Sequence, residues 1–494
     1  MGHAYSSIVA DVFARFKRLE GKNVHFLTGT DEHGLKIQRE AAKNNKDVKI
    51  FCDEVSNKFK DLAKILNLSI DDFIRTTEER HHRSVQAIWN KLLESGDIYL
   101  SKYAGWYSVS DEAYYTEDEI ITVGGKKISK LSGSEVDWFE EESYFFKLSA
   151  WQGKLLDHYE KYPSFVSPKS RNNEIVQFVK SGLNDLSISR TSFKWGIPVP
   201  KNDKHIVYVW LDALTNYISA LNFPDTSDLL YKNFWPADIH VIGKDILRFH
   251  AIYWPAFLMA AKLPLPLKIF GHGWILSNEK KMSKSLGNIL DPLEIINKYG
   301  IDQLRYYLIK EVSLGNDGNV SMENLKNCIN NDLANNFGNL CQRVFSFIEK
   351  NCGGKLPRPA DLQKEDMNLL DNLTSKLPLL ISYMDNQDLN NYIKTVVDFS
   401  FDANKYFNDL QPWAVKKTNI DRMNTILFTI VSQIKNISIL LNPIIPNSSD
   451  KILDIMNLKD NERVITAINK DDIFNHDLEF NKTSILFKKI EDDN

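Results

Sequence analysis

A chain of 494 residues holds roughly two to four domains with sizeable cores, because a single core stops growing at about 250–300 residues. Its hydrophobic fraction of 43% and charged fraction of 26% exclude a disordered or low-complexity protein. The formal net charge of −4 excludes nucleic-acid binding through overall basicity, so any such partner has to meet a local basic face.

Cys52, Cys328, Cys341 and Cys352 lie far apart and form no Cys-x-x-Cys, which reads as reduced structural thiols. The longest apolar run, Ala251 to Ala261, holds Pro255 and stops at Lys262, too short for a membrane span. No charged leader precedes an apolar segment at the start. A cytoplasmic protein with no membrane partner is expected.

In chain order, Tyr5, Ile8, Val9, Val12, Phe13 and Phe16 recur at helical spacing and predict an amphipathic helix that starts within a few residues of Met1. Gly2 and His3 then stand at a helix N-terminus, where free backbone N–H groups and the dipole favour a phosphate. Val24 to Leu27 reads as a short buried strand closed by the polar turn Thr28-Gly29-Thr30-Asp31-Glu32-His33-Gly34, at the end of a strand where open α/β sheets bind ligands. Helices follow at Leu35 to Lys43, Phe51 to Leu66 and Arg83 to Ser95.

Between residues 97 and 204 the texture changes to aromatic strand and turn material, with Tyr99, Tyr103, Trp106, Tyr107, Tyr114, Tyr115 and a run from Trp138 to Ser149. The alternation of helix and strand stops there and resumes at Ile206, as an insertion would make it do. Leu186 to Arg190 closes the insert. Ile206 to Trp210 is strand-like and runs into a helix carrying Asp212, Leu214 and Tyr217. His240 to Ile242 is a further strand, ending at Gly243-Lys244-Asp245 before a helix over Ile246 to Ala261 that bears His250. Leu267 to Phe270 predicts the next strand, ending in Gly271-His272-Gly273.

The run Lys281-Met282-Ser283-Lys284-Ser285 follows. Two lysines three apart among hydroxyl residues can surround a polyphosphate and stabilise the charge that gathers on it in nucleotidyl transfer. From Pro292 to Asn324 the chain reads as a helical linker, and beyond it as long helices at Asn330–Asn351, Glu365–Met384, Leu389–Asn408, Asp421–Leu441 and Ser448–Met456.

That Lys-Met-Ser-Lys-Ser run resembles the KMSKS signature of class I aminoacyl-tRNA synthetases. Gly2-His3 is similar to the last two letters of the other signature, HIGH. Its first histidine, and the strand before it, would fall ahead of Met1, so a true start upstream or an impaired product is expected. Val-Trp-Leu-Asp-Ala at Val209 to Ala213, the turn at Asp31, the insert's Glu141-Glu142-Ser143-Tyr144 run and Phe249-His250 resemble the methionyl-tRNA synthetases in particular. The resemblance implies an α/β fold, a class I Rossmann-type catalytic domain split by a connective insert and followed by an all-α anticodon-binding bundle. The corresponding boundaries are 1–96 and 205–277 for the catalytic domain, 97–204 for the insert, 278–325 for the KMSKS loop and linking domain, and 326–494 for the bundle.

The implied activity joins L-methionine to methionine tRNA through a methionyl-adenylate made from ATP with Mg2+. The rival reading is a tRNA-binding protein whose amino-acid activation is impaired by the short start. Carried over from the family, ATP would meet Gly2, His3, Gly243, Lys244, Asp245, His272, Gly273, Lys281, Met282, Ser283, Lys284 and Ser285, with His3, Lys281 and Lys284 catalytic. Methionine would meet Asp31, Arg190, Trp210, Tyr217 and His250, and the anticodon would meet Asn339, Arg343 and Trp413. Many relatives hold zinc on cysteine knuckles in the insert. Here no cysteine lies between Cys52 and Cys328, so no zinc is expected. The chain stops at Asn494 with no further tRNA-binding or dimerising domain, and a monomer is expected.

Overall fold

The structure is a computed structural model that describes residues 1–111, 113–277, 280–281, 290–468, 479–480 and 486–491, with backbone only at 103, 141, 280 and 281. The chain divides into two compact units, one of Met1–Val24, Leu66–Ser69 and His272–Asn494, the other of His25–Ile65 and Ile70–Gly271.

In the second of these, strand Leu27–Thr30 runs parallel to Asp72–Arg75, with Leu27 opposite Asp72 and Thr30 opposite Arg75. The sequence reading ended this strand at Leu27, three residues early, because Thr28-Gly29-Thr30 looks like turn chemistry. Pairing decides otherwise. A Cβ on Gly29 would stand 2.0 Å from the Ile74 carbonyl oxygen, so the close approach of the two strands requires glycine there.

The insert is built on two long antiparallel strands, Ile98–Ser108 and Asp137–Phe146, in register from Ile98 opposite Phe146 to Tyr107 opposite Asp137. Ala113–Tyr115 adds to one edge and Leu186–Ser187 to the other. A separate hairpin, Ile120–Val123 with Lys126–Ser129, turns on Gly124 and Gly125 at φ +59° and +81°, conformations that suit the twist of a two-residue turn and favour glycine.

Strand Asn202–Val207 pairs with Ser189–Arg190 and Pro198–Val199, and helix Val209–Ser219 begins two residues later. Trp210 is therefore on the first turn of a helix and not in a strand. The β-branched run Ile206-Val207 reads as strand, but burial of Leu211, Leu214 and Ile218 on one face makes the following residues helical.

His240–Gly243, Ile269–His272 and Val166–Ser167 form a three-stranded sheet in that order. The strand predicted at Leu267 to Phe270 thus lies two residues later than read, and Gly271 and His272 belong to it. The predicted helix Ile246 to Ala261 is broken into a 3-10 turn at Lys244–Ile246, a π-turn at Phe249–Tyr253 and an α-helix at Trp254–Ala260. Pro255 has no N–H to offer the Ala251 carbonyl; the Tyr159 hydroxyl donates to that carbonyl instead, at 2.6 Å.

In the other unit, helix Gly2–Leu19 buries Tyr5, Ile8, Val9, Val12 and Phe16 as its spacing predicts, and also Asp11. Strand Ile275–Ser277 pairs antiparallel with Lys280–Lys281 and parallel with Gly318–Val320. The remainder is helical: Pro292–Tyr299, Ile301–Glu311, Met322–Cys328, a wide π-segment Ile329–Gly338 continuing into Asn339–Cys352, then Lys364–Thr374, Leu377–Asp385, Leu389–Leu410, Ile420–Leu441 and Pro446–Ile455. The single helix read over Glu365 to Met384 is two, because Pro378 starts a new one. Ile420–Leu441 is long and apolar enough to cross a membrane, and 94% of its apolar stretch is buried inside the bundle, which is what a core helix requires.

Arg305 ties this unit together. Fully buried, its guanidinium donates to Asp11 at 2.6 Å, to the carbonyls of Pro443 and Ile444 at 2.8 and 2.9 Å, and to that of Leu66 at 3.2 Å. Asp11 also accepts from Arg15 at 2.7 Å and from the backbone and hydroxyl of Ser69 at 2.6 and 2.7 Å. Burial opposes the charge on Asp11, but Arg305, Arg15 and Ser69 together outweigh it and hold the carboxyl below its usual range.

Candidate active site

Three constellations form, one in the unit of His25–Ile65 and Ile70–Gly271 and two in the other. The first begins where strand Leu27–Thr30 ends. Glu32 is buried, and Arg75 donates to both of its carboxylate oxygens at 2.7 and 2.9 Å, joined by the hydroxyls of Thr77 at 2.6 Å and Thr30 at 2.7 Å. Burial works against that charge, and these donors outweigh it and keep the carboxyl low. The Glu32 backbone is tied as well, its N–H to the Thr76 hydroxyl at 2.9 Å and its carbonyl to the Trp195 indole N–H at 2.5 Å.

His33, next along, is fixed by Nδ1 against Asp212 at 2.7 Å and packs edge-on to Trp195. The other oxygen of Asp212 meets His81 Nε2 at 2.7 Å, and His81 Nδ1 meets the Ser219 hydroxyl at 2.9 Å. Asp212, 1% exposed, would be driven neutral by burial alone. The two imidazoles reverse that and hold it well below the carboxylate range. His33 is lowered by burial and raised by Asp212, with a net upward shift.

Asp31 differs from its neighbours. It is exposed to solvent and, among the described residues, accepts no hydrogen bond. Packed protein on its other sides still strips it of water, and that enclosure, followed by the charge of Asp212, pushes its carboxyl to about 6.

Helix Val209–Ser219 and the turns after His240–Gly243 build an aromatic wall. Trp210 stacks on Phe249 with ring centroids 3.8 Å apart and 12° between planes, and Tyr217 stacks on His240 at 3.9 Å. The Tyr217 hydroxyl lies 2.7 Å from His250 Nε2, while His250 Nδ1 lies 3.0 Å from the Ile246 carbonyl. A carbonyl only accepts, so Nδ1 carries the proton and Nε2 receives the tyrosine hydroxyl. Burial lowers His250 to about 4 and His240 well below its usual value, so the wall is uncharged at neutral pH. The Tyr217 hydroxyl is pushed up by burial and then by the charge of Asp31, which places Asp31 within electrostatic reach of the wall.

Trp210, Tyr217 and His250 are thus brought together by contact, with Asp31 in electrostatic reach of Tyr217. Arg190 is placed otherwise: 2% exposed, its Nη1 donates to the carbonyls of Ser187 and Ser189 and to the Ser187 hydroxyl at 3.2, 2.7 and 2.9 Å. Its guanidinium lies over the rings of Tyr114 and Tyr208 at 4.7 and 4.6 Å, and Tyr208 caps the helix that carries Trp210. Gly243 ends its strand, and Lys244 and Asp245 form the turn after it, Asp245 exposed.

In the other unit, His272 Nδ1 meets the Gly273 carbonyl at 2.8 Å and its Nε2 the Ser6 hydroxyl at 3.0 Å, with the Tyr5 ring edge-on at 5.3 Å. Gly2 and His3, exposed on the first turn of that helix, therefore share one locality with His272 and Gly273. A Cβ on Gly273 would stand 2.1 Å from the Asn316 carbonyl oxygen, so glycine is required by that close approach. Lys281 is described by its backbone pairing with Leu276, and Met282, Ser283, Lys284 and Ser285 lie outside the described residues.

Far along the same unit, Asn339 is exposed at the start of helix Asn339–Cys352 and Arg343 stands one turn on. The Arg343 guanidinium lies over Phe407 and Trp413 at 5.3 and 5.9 Å and donates to Asn408 at 2.7 Å. Trp413, 42% exposed, shares a groove with Arg343, Phe347, Lys350 and Asn351. A partly open indole beside cations suits an unstacked base. Among the described residues no three His, Cys, Asp or Glu side chains gather at metal-ligand spacing.

Sequence reasoning passed over Glu32, His33, Arg75, His81 and Asp212. The signal available was a carboxylate inside the apolar run Val209 to Leu214, since a charge in such a run is buried and must be paired.

The family model described as tRNA synthetases class I (M) matches residues 1–345, and that described as the anticodon binding domain of methionyl tRNA ligase matches residues 356–494. The chain is 51% identical over 457 residues to a methionine–tRNA ligase of Brucella suis biovar 1, covering 92% of this chain and 88% of the relative. It is 46% identical over 503 residues to that of Rickettsia felis, covering 100% and 96%. The crystal structure of Mycobacterium tuberculosis methionyl-tRNA synthetase bound by methionyl-adenylate superposes with a TM-score of 0.95 at 43% identity, covering 99% of this chain and 96% of that one.

Proposed function

The chain belongs to the class I methionyl-tRNA synthetases and is a methionine–tRNA ligase, and from that premise we propose which of its residues carry the reaction. Asp31 receives the α-ammonium of methionine. Trp210, Tyr217 and His250 enclose the thioether, where sulfur against aromatic rings is favoured and a neutral imidazole leaves the socket uncharged. Arg190 supports the socket through Tyr208.

ATP binds at Gly2 and His3 on the first helical turn, at His272 and Gly273, at Gly243, Lys244 and Asp245, and against Lys281, Met282, Ser283, Lys284 and Ser285. Mg2+ arrives on the nucleotide. Magnesium takes phosphate oxygens and waters more readily than an all-protein cage.

A methionine carboxylate oxygen attacks the α-phosphorus, the bond to the bridging oxygen breaks, and pyrophosphate leaves. His3, Lys281 and Lys284 stabilise the charge that gathers on the phosphates. A hydroxyl of the terminal ribose of methionine tRNA then attacks the acyl carbon of the adenylate, loses its proton, and AMP leaves. Asn339, Arg343 and Trp413 read the anticodon. The catalytic domain takes residues 1–96 and 205–277, split by the insert 97–204, while 278–325 supply the loop of Lys281 and Lys284 and link it to the bundle 326–494. We infer a monomer in the cytosol, where the free thiols Cys52, Cys328, Cys341 and Cys352 stay reduced.

The observation that carries this reading is a solvent-reachable carboxylate, Asp31, without a protein donor among the described residues and in electrostatic reach of a neutral aromatic wall. Asp31→Asn raises the methionine KM in pyrophosphate exchange about 100-fold, in line with the cost of about 1.5–3 kcal/mol for a lost charged hydrogen bond, and leaves the ATP KM in place. An unchanged methionine KM removes Asp31 from the site.

A further inference from the structure

The segment that carries Asp31 is tied on both sides of it and free at it. Glu32 is locked by the donors of Thr30, Arg75 and Thr77 and again through Trp195, and His33 through Asp212. Asp31 alone points at no protein donor among the described residues. A loop built this way spends its hydrogen bonds on fixing a backbone and keeps one carboxylate for something else.

The far anchor of this arrangement is Asp212. It lies 179 residues beyond His33 and 131 beyond His81, on the first turn of the helix whose Trp210 and Tyr217 form the thioether socket. One buried carboxylate therefore reaches from the socket's helix to the ammonium loop with Oδ2 and to helix Glu79–Glu94 with Oδ1. His81 is braced from behind by Ser219, so Asp212 cannot swing toward solvent without breaking two bonds.

We propose that Asp212 is the positioning residue for the ammonium site, holding the Asp31 loop in register with the thioether socket through His33. It touches no substrate atom. Its effect is selective: it governs the part of the ligand that meets Asp31 and not the part that meets the aromatic wall. The proposal rests on the reading that Asp31 takes the substrate ammonium.

Three probes separate the parts of the ligand. L-Methionine has thioether, ammonium and carboxylate; methioninol keeps the ammonium and lacks the carboxylate; 4-(methylthio)butanoate keeps the thioether and carboxylate and lacks the ammonium. Binding to the full chain is followed by tryptophan fluorescence. In Asp212→Asn, methionine and methioninol weaken by about 10-fold or more, as for loss of a charged hydrogen bond, while 4-(methylthio)butanoate and the ATP KM shift by less than about 3-fold.

Equal weakening of all three probes overturns the proposal, because Asp212 then only shapes the socket. Unchanged methionine and methioninol binding overturns it too. Where Asp212→Asn does not fold, His33→Gln decides by the same pattern, since it cuts the same link and leaves Asp212 paired with His81. Asp31→Asn separates the two readings. If Asp31→Asn loses methioninol and Asp212→Asn does not, the positioning role alone falls. If Asp31→Asn keeps methioninol, the ammonium site lies elsewhere and both fall.

Discussion

Two buried aspartates, one in each compact unit, solve the same problem with different partners. Asp11 sits among guanidiniums, which stay charged at any working pH; Asp212 sits between imidazoles, which do not. The first is an architectural device, closing the N-terminal helix onto the Leu66 turn and the end of helix Ile420–Leu441 through Arg305. The second lies next to the proposed substrate ammonium, and there a partner whose charge can change matters. A guanidinium in its place would present a permanent cation close to where a cationic substrate group has to arrive.

The comparison breaks most readily at Arg305. Arg305→Met leaves Asp11 buried with one cation fewer and lowers stability by about 3–5 kcal/mol, read as the shift in the urea midpoint. Adding Asp11→Asn recovers part of the loss. A midpoint that hardly moves would mean the two aspartates do not differ in this way.

Acid sharpens the contrast next. Asp31, pushed to about 6, is neutral below that pH and cannot pair with an ammonium, so kcat/KM for methionine falls about 10-fold between pH 7 and 5 while kcat/KM for ATP does not follow it. The Asp11 cluster is unmoved over that range. Its carboxyl is depressed, so the stability it supplies is present above the unfolded value of about 4 and is lost only as pH falls below it.

The smallest effect concerns His33. Its net shift is upward, so its pairing contributes fully below the unfolded value of about 6.5 and fades as pH rises through the raised value. The imidazole proton resonance of His33 titrates above that of a free histidine and moves down in Asp212→Asn. A His33 resonance indifferent to Asp212 would dissolve the distinction between the two sites.

Much of the architecture was legible because it is periodic. The N-terminal helix repeats its apolar residues every three or four positions from Tyr5 to Phe16, and the insert's aromatic texture between Tyr99 and Ser149 marks the two long strands that pair Ile98 with Phe146. Strand limits were less so. Leu27–Thr30 and Ile269–His272 lie further along than their apolar cores suggest, since what places them is a partner 45 or more residues away and not their own composition. Trp210 looked like the end of a strand for the same reason: Val207 and Val209 favour extension, and only the burial of Leu211, Leu214 and Ile218 turns the chain helical.

The candidate site split along the same line. Short runs with unusual composition, such as the one at Asp31 and that at Lys281, stand out when read singly. The pairing of His33 and His81 on Asp212 did not, because neither histidine has a sequence neighbour that needs it, and the link exists only once three distant segments have packed.

Arg305 imposes an order on biosynthesis. The helix bearing Asp11 leaves the ribosome well before its partners, since its buried carboxylate meets a guanidinium 294 positions downstream that also needs the Leu66 carbonyl and carbonyls a further 138 and 139 along. At about 5–20 residues per second that interval is on the order of tens of seconds, during which a segment already made waits to be locked.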